Sequence, residues 1–260
     1  MGKLYILSSG AGGTDYMSVE ALDALKECEV AVSYKKYAKE LSSLIENKEL
    51  YTSGMTKEID RCNQAIEFAK SGKTTCIISN GDANVFGMAT LIVELIDEQN
   101  VWSEIELISI AGVTSFLAAA AKIGAPVSQD FAIISLSDRL TDINMIDKRV
   151  RATLQSDFIV GIYNPKSQKR ILPYQNFLKA LSEGEEKVAI IASNVGRVEK
   201  EKITVTTTTD LVEQDINHPE VTMSTIIIIG NSNTKLTKNG LVLTPRGYLN
   251  KYSTSGELNL

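Results

Sequence analysis

The chain has 260 residues, 43% of them hydrophobic, and a formal net charge of -5, so it can bury a sizeable core and presents no overall basic surface for nucleic acid. No run of about 18 apolar residues occurs, which argues against a membrane span. Cys28, Cys62 and Cys76 are scattered and lack CxxC spacing, which points to a reducing compartment and away from a zinc or iron–sulfur site.

Length favours two domains over one. The N-terminal apolar core is too short for a signal peptide and reads as a first strand, Leu4 to Leu7. It ends in Ser8-Ser9-Gly10-Ala11-Gly12-Gly13, and a helix is predicted from about Ser18 with Val19, Leu22 and Leu25 on one face. The dinucleotide fingerprint G-x-G-x-x-G fails, because its third glycine position is Asp15. Val30 to Ser33 reads as a second strand, followed by Tyr34-Lys35-Lys36-Tyr37; two lysines between tyrosines suit either a carboxylate grip or a solvated face. Residues 57–70 read as a helix with Ile59, Cys62, Ile66 and Ala69 inward.

The strand Cys76-Ile77-Ile78 then delivers a loop from Ser79 to Gly87. Met88, Leu91, Ile92, Leu95 and Ile96 follow with the spacing of one helix face. Ligands of open α/β sheets sit at such carboxyl-end loops, and Gly81 and Gly87 allow close backbone approach. The competing reading is a tight turn in which Asp82 satisfies nearby backbone amides. Ile105 to Ile110 is the next strand, leading through Ala111-Gly112-Val113-Thr114-Ser115 into a small-residue helix, Phe116 to Ile123. Thr114 or Ser115 suits either a helix N-cap or a hydroxyl aimed at a ligand.

After Gly124-Ala125-Pro126 the strands become more β-branched: Phe131 to Ile134, Phe158 to Ile162, Val188 to Ala192, Ile203 to Thr207 and Thr225 to Ile229. Thr206-Thr207-Thr208-Thr209 is strand-prone, and Ile226 to Ile229 has the continuous apolar run of a central, doubly covered strand. A boundary near residues 108–114 gives two α/β domains, 1–110 and 111–260, with loops facing each other across an interdomain cleft. Three loops place a cation beside a turn: Tyr163-Asn164-Pro165-Lys166 through Arg170, Asn194-Val195-Gly196-Arg197, and Thr244-Pro245-Arg246-Gly247. Together they suit a polyanionic small molecule. His218 is the only histidine, and no acid–base constellation or phosphate loop is present, so a reaction that needs little proton transfer fits better than hydrolysis.

The motifs Asn80-Gly81-Asp82-Ala83-Asn84-Val85-Phe86-Gly87-Met88-Ala89 and Ala111-Gly112-Val113-Thr114-Ser115 resemble those of the tetrapyrrole (corrin/porphyrin) methylases. Five further stretches resemble the corrin branch: Gly124-Ala125-Pro126 with Asp130 to Asp138, Tyr163-Asn164-Pro165 with Lys169-Arg170, Asn194 to Arg197, Ile229-Gly230-Asn231-Ser232, and Thr244 to Tyr248. Within that branch the resemblance is to enzymes that methylate ring carbon 17 of a precorrin-3 macrocycle, with or without cobalt, and contract the ring, and it implies that reaction here. The resemblance implies S-adenosylmethionine bound in the cleft by Asn80, Gly81, Asp82, Val85, Thr114, Ser115, Tyr163, Asn164, Val195 and Gly196. It implies a tetrapyrrole substrate against Gly10 and Ala11, with Arg139, Lys166, Arg170, Arg197 and Arg246 on its acetate and propionate groups. It further implies a cytoplasmic homodimer with no nucleic-acid or membrane partner and no metal site. Asp138, Tyr163 and His218 are candidates for moving the proton of ring contraction. One departure stands out: the family's first loop reads G-x-G-P-G-D, and here Ala11 and Gly13 replace the proline and the aspartate. A related methylase acting on RNA or another tetrapyrrole, or a non-catalytic corrinoid-binding protein, are the alternatives; an acidic chain with a pI near 5.2 speaks against the RNA reading.

Overall fold

A computed structural model describes residues 1–259. The chain divides into two compact units, Met1–Ala118 and Ala119–Leu260, and the division falls inside a helix. The first unit alternates strands and helices: β1 (Gly2–Ser8), α1 (Val19–Glu27), β2 (Val30–Tyr34), α2 (Lys35–Glu40), α3 (Ser42–Ile45), β3 (Glu49–Ser53), α4 (Glu58–Lys70), β4 (Thr75–Ser79), α5 (Ala89–Glu98), β5 (Ile105–Ile110) and the start of α6 (Ser115–Ile123), the helix in which the division falls. Its sheet has the order β3-β2-β4-β1-β5 and every pairing is parallel.

Side-chain alternation sorts the strands between two covered faces. Leu4, Ile6, Val30, Val32 and Ile77 pack under Cys62 and Ile66 of α4 and Ile92 and Ile96 of α5. Tyr5, Leu7, Ala31, Cys76 and Ile78 pack on the other face with Ala21 and Leu25 of α1 and with Leu41 and Ile45. Coverage of both faces explains why these strands read as unbroken apolar runs. Ser18 caps α1 by accepting the Ala21 amide at 3.1 Å. Two helix faces differ from the sequence expectation. Val19 is 74% exposed, because α1 turns Ala21, Ala24 and Leu25 inward. Ile59 is 60% exposed, and Arg61 occupies the inward position instead at 6% exposure. The guanidinium tolerates burial because it donates to Ser53 Oγ at 2.9 Å and to the Gly54 carbonyl at 3.0 Å.

The second unit comprises β6 (Gly124–Ala125), β7 (Phe131–Ser135), α7 (Ile143–Gln155), β8 (Ile159–Tyr163), α8 (Leu172–Ser182), β9 (Val188–Ser193), β10 (Lys202–Thr207), α9 (Thr208–Gln214), β11 (Thr225–Ile229), β12 (Lys235–Leu236), β13 (Val242–Leu243) and α10 (Tyr248–Lys251). The main sheet has the order β10-β9-β11-β8-β7; only β7 and β8 pair in parallel. β11 is its middle strand and is buried along its whole length, as its isoleucine run predicts. Burial of each isoleucine side chain stabilises by roughly 1.5–3 kcal/mol. Val160, Ile162, Ile191, Ile227 and Ile229 pack against Ile146 and Val150 of α7 and Phe177 and Leu181 of α8. The threonine run does not stay extended: Thr207 Oγ1 accepts the Asp210 amide and starts α9 at Thr208.

Candidate functional site

Parallel pairing brings the carboxyl ends of β1, β4 and β5 to one edge of the first sheet, and the three loops leaving them are hydrogen-bonded into one platform. The Ser9 amide donates to the Ser79 carbonyl at 2.8 Å. Gly10 and Gly81 then form an isolated antiparallel bridge, with amide-to-carbonyl distances of 3.0 and 2.8 Å. Both glycines are left-handed, with φ of +71° and +70°. Ser8 Oγ accepts the Ala83 amide at 2.9 Å. Asp82 joins the third loop: one carboxylate oxygen accepts the Asn84 amide at 2.8 Å and the other the Gly112 amide at 3.0 Å. Asp82 therefore does what the tight-turn reading expects of it, and it also crosses to a second loop.

Two glycines of this platform differ in what surrounds them. A Cβ at Gly112 would lie 2.5 Å from the Gly81 carbonyl oxygen and 2.6 Å from Ser8 Cβ, so that position is closed by the mesh itself. A Cβ at Gly81 would meet only Thr114 Cα, at 3.9 Å. Gly81 thus keeps an open side next to Thr114, which is buried, and its backbone is strained for any other residue. Phe86, in the same loop, holds φ at +54° and is exposed, a conformation uncommon for an aromatic residue. Asn80, Gly81, Asp82, Val85, Thr114, Gly10 and Ala11 all lie on these loops, and Ser115 opens α6 directly after them; Ala11 is buried.

In the second unit, the carboxyl ends of β7, β8 and β9 share one sheet edge. Tyr163, Asn164, Val195 and Gly196 lie there. Asn164, at φ +51°, donates Nδ2 to Ser135 Oγ at 3.0 Å. The Gly196 amide donates to Glu201 Oε2 at 2.6 Å, and Glu201 Oε1 pairs with Lys122 at 2.8 Å. Burial would raise the Glu201 pKa, but the Lys122 bond and the Gly196 amide bring it below the ordinary carboxylate range. Neither Glu201 nor Ser8 stands out in the sequence; each acts through a backbone amide that only the fold delivers.

The predicted cations do not share one role. Arg170 is committed within its unit: it donates to Ser137 Oγ at 2.8 Å and to the Asn164 carbonyl at 3.1 Å, and it approaches Met223 Sδ at 3.3 Å. Asp138 is 3.9 Å away, and Arg170 Nε is buried with no hydrogen-bond partner. Lys166 donates to the carbonyls of Ile216 and His218 and lies 5.9 Å from the Tyr174 ring centroid; burial lowers its pKa. Both side chains brace loops of the second unit. Arg139 is exposed in the loop after β7, and Arg197 follows Gly196 with its amide on the Asn194 carbonyl at 2.9 Å. Arg246 stands apart from them. Pro245 and Thr244 are tied to Gln129 and Ser128, ahead of β7, so Arg246 belongs to the opposite end of that sheet. His218 is buried, its Nδ1 accepts the Glu220 amide at 3.2 Å, and burial lowers its pKa.

The family model of the tetrapyrrole (corrin/porphyrin) methylases matches residues 3–212. The chain is 38% identical over 253 residues to a probable cobalt-factor III C(17)-methyltransferase of Methanocaldococcus jannaschii, covering 96% of this chain and 99% of that protein. It is 36% identical over 258 residues to the cobalt-factor III methyltransferase of Priestia megaterium, covering 97% of this chain but only 46% of that longer protein. Among solved structures, the methyltransferase CobJ superposes with a TM-score of 0.86 at 30% identity, covering 94% of this chain and all of that one. A uroporphyrin-III C-methyltransferase from Thermus thermophilus, complexed with S-adenosylhomocysteine, shares the fold with a TM-score of 0.67 at 16% identity, covering 88% of this chain and 97% of that one. With matching sequence along most of its length and the same α/β architecture, the chain belongs to the tetrapyrrole (corrin/porphyrin) methylases.

Proposed function

We propose that this chain transfers a methyl group from S-adenosylmethionine to ring carbon 17 of a cobalt-factor III or precorrin-3B macrocycle, with ring contraction, in cobalamin biosynthesis. The observation that carries this reading is the end-to-end match with the Methanocaldococcus jannaschii relative of that name. The loop platform of the first unit fits the donor: the Cβ position of Gly81 is open whereas that of Gly112 is closed, so a ligand can approach the Asn80–Asp82 backbone. When bound, the donor supplies an electrophilic methyl group on a sulfonium. Asn80, Gly81 and Thr114 are the proposed contacts. Asp82 fixes the spacing of their loops through the Asn84 and Gly112 amides. A displacement of this kind gains most from alignment and exclusion of water, which suits a site built of backbone rather than of an acid–base pair. The chain is further proposed to act as a cytoplasmic homodimer.

The test is incubation of the purified chain with methyl-labelled S-adenosylmethionine and either cobalt-factor III or its cobalt-free counterpart. Label appearing at carbon 17 of one macrocycle supports the reading and decides the cobalt question; label in neither removes it.

A further inference from the structure

Tyr34 ends β2, and Lys35 and Lys36 open α2 at the sheet edge that also carries Gly10 and Gly81. β2 is hydrogen-bonded directly to β4, with Ser33 opposite Ile78, so the lysines stand one strand away from the Asn80–Gly81 loop. Both lysines are exposed. Arg61 reaches this corner from α4. Its guanidinium lies 5.8 Å from the Tyr34 ring centroid, and the Tyr34 and Tyr37 rings meet edge to face at 5.2 Å.

The Arg61 charge is paired at a distance longer than a direct hydrogen bond. Its close partners are a hydroxyl and a carbonyl, and the carboxylate paired with it, Glu58, is 3.8 Å away and 43% exposed. Asp60, also on α4, is held by the Tyr51 hydroxyl at 2.6 Å. A buried guanidinium whose paired carboxylate is distant and part-exposed favours a further anion nearby. Three cations therefore gather at one corner of a protein whose net charge is -5. We propose that Lys35 and Lys36, backed by Arg61, bind a peripheral carboxylate of the macrocycle and help to select a polycarboxylate substrate. This rests on the methyltransferase reading above and adds a substrate subsite to it.

The experiment compares the unmodified chain with the double variants Lys35→Ala/Lys36→Ala and Lys35→Arg/Lys36→Arg. Macrocycle affinity is read by absorbance titration with cobalt-factor III, S-adenosylhomocysteine affinity by calorimetry, and KM and kcat by methyl transfer. The alanine pair is expected to weaken macrocycle affinity about tenfold, as two charge-assisted contacts at a surface would. It should also lose much of the salt dependence between about 50 and 300 mM. The arginine pair should retain most of the affinity, and donor affinity should stay within about twofold in both, since main-chain contacts carry it. Unchanged macrocycle affinity in the alanine pair would overturn the proposal, whether or not turnover is seen. Absence of turnover by the unmodified chain with intact macrocycle binding would count against the proposed function and leave the subsite standing.

Discussion

Asp82 shows how an acidic residue in a ligand-facing loop can matter through its backbone partners. Both carboxylate oxygens are occupied by amides from two different loops. Asp82→Ala should lower unfolding stability by roughly 1.5–3 kcal/mol, the scale of a hydrogen bond to a charged group. The same variant, and Gly81→Val, should weaken S-adenosylhomocysteine binding in calorimetry; unchanged affinity in both would move the donor away from this platform. Gly112 offers a sharper contrast, since its Cβ would collide with the Gly81 carbonyl. Gly112→Ala is expected to cost about 1–3 kcal/mol in chemical denaturation, the range for overpacking. At this scale the sequence carried part of the answer. Gly81 and Asp82 attract notice by residue type and position, whereas the loop-bracing bonds of Lys166 and Arg170 do not. Nothing in their local sequence reveals that carbonyls of residues 216 and 218, or Ser137, will be their partners.

Elements carry the next level. β11 was legible because four consecutive isoleucines in the middle of a sheet need cover on both faces. Ile228→Ala, at a position with no solvent exposure, should destabilise the protein by about 2–5 kcal/mol in a denaturant titration. The join of β10 and α9 was not legible, since a run of threonines favours strand until one hydroxyl finds the free amides of a helix start. α4 misled in a different way: its periodicity nominates Ile59, but the fold turns Arg61 inward because Ser53 and Gly54 are waiting to accept its donors. Between elements, Glu201 holds the Gly196 amide. Glu201→Ala should speed hydrogen exchange at that amide by about tenfold or more, given the worth of a charge-assisted bond. No acceleration would show that the loop is held by other means.

For the molecule as a whole, pH acts through groups whose environment differs between folded and unfolded chains. Burial would raise Asp157, Glu201 and Glu220, yet their lysine, hydroxyl and amide partners bring all three below the ordinary carboxylate range. A depressed carboxylate contributes stability that is complete above its unfolded value and is lost as pH falls through its folded value. Burial also depresses His218, so its contribution is complete above about pH 6.5 and declines as the pH falls below that. The melting temperature should therefore be flat between about pH 7 and 8, fall gently as His218 titrates, drop steeply below about pH 4, and fall again above about pH 9, where the unfolded chain ionises thiols that burial keeps neutral in the fold. Glu201→Gln and Glu220→Gln should each flatten the steep limb, which thermal melts across that range would read.

What the amino-acid sequence determined by itself was the α/β class, the apolar strands, the amphipathic α5 and the glycine-bearing loops that mark the family. These follow from local periodicity and backbone freedom, which need no distant partner. The tertiary structure alone decided that all strands of the first sheet run parallel, that Ser8, Gly10, Gly81, Asp82 and Gly112 interlock, and that Arg246 lies away from the other cations. Those outcomes depend on hydrogen bonds between residues tens of positions apart, and the chemistry of a donor or acceptor says what it needs but not which distant group will supply it.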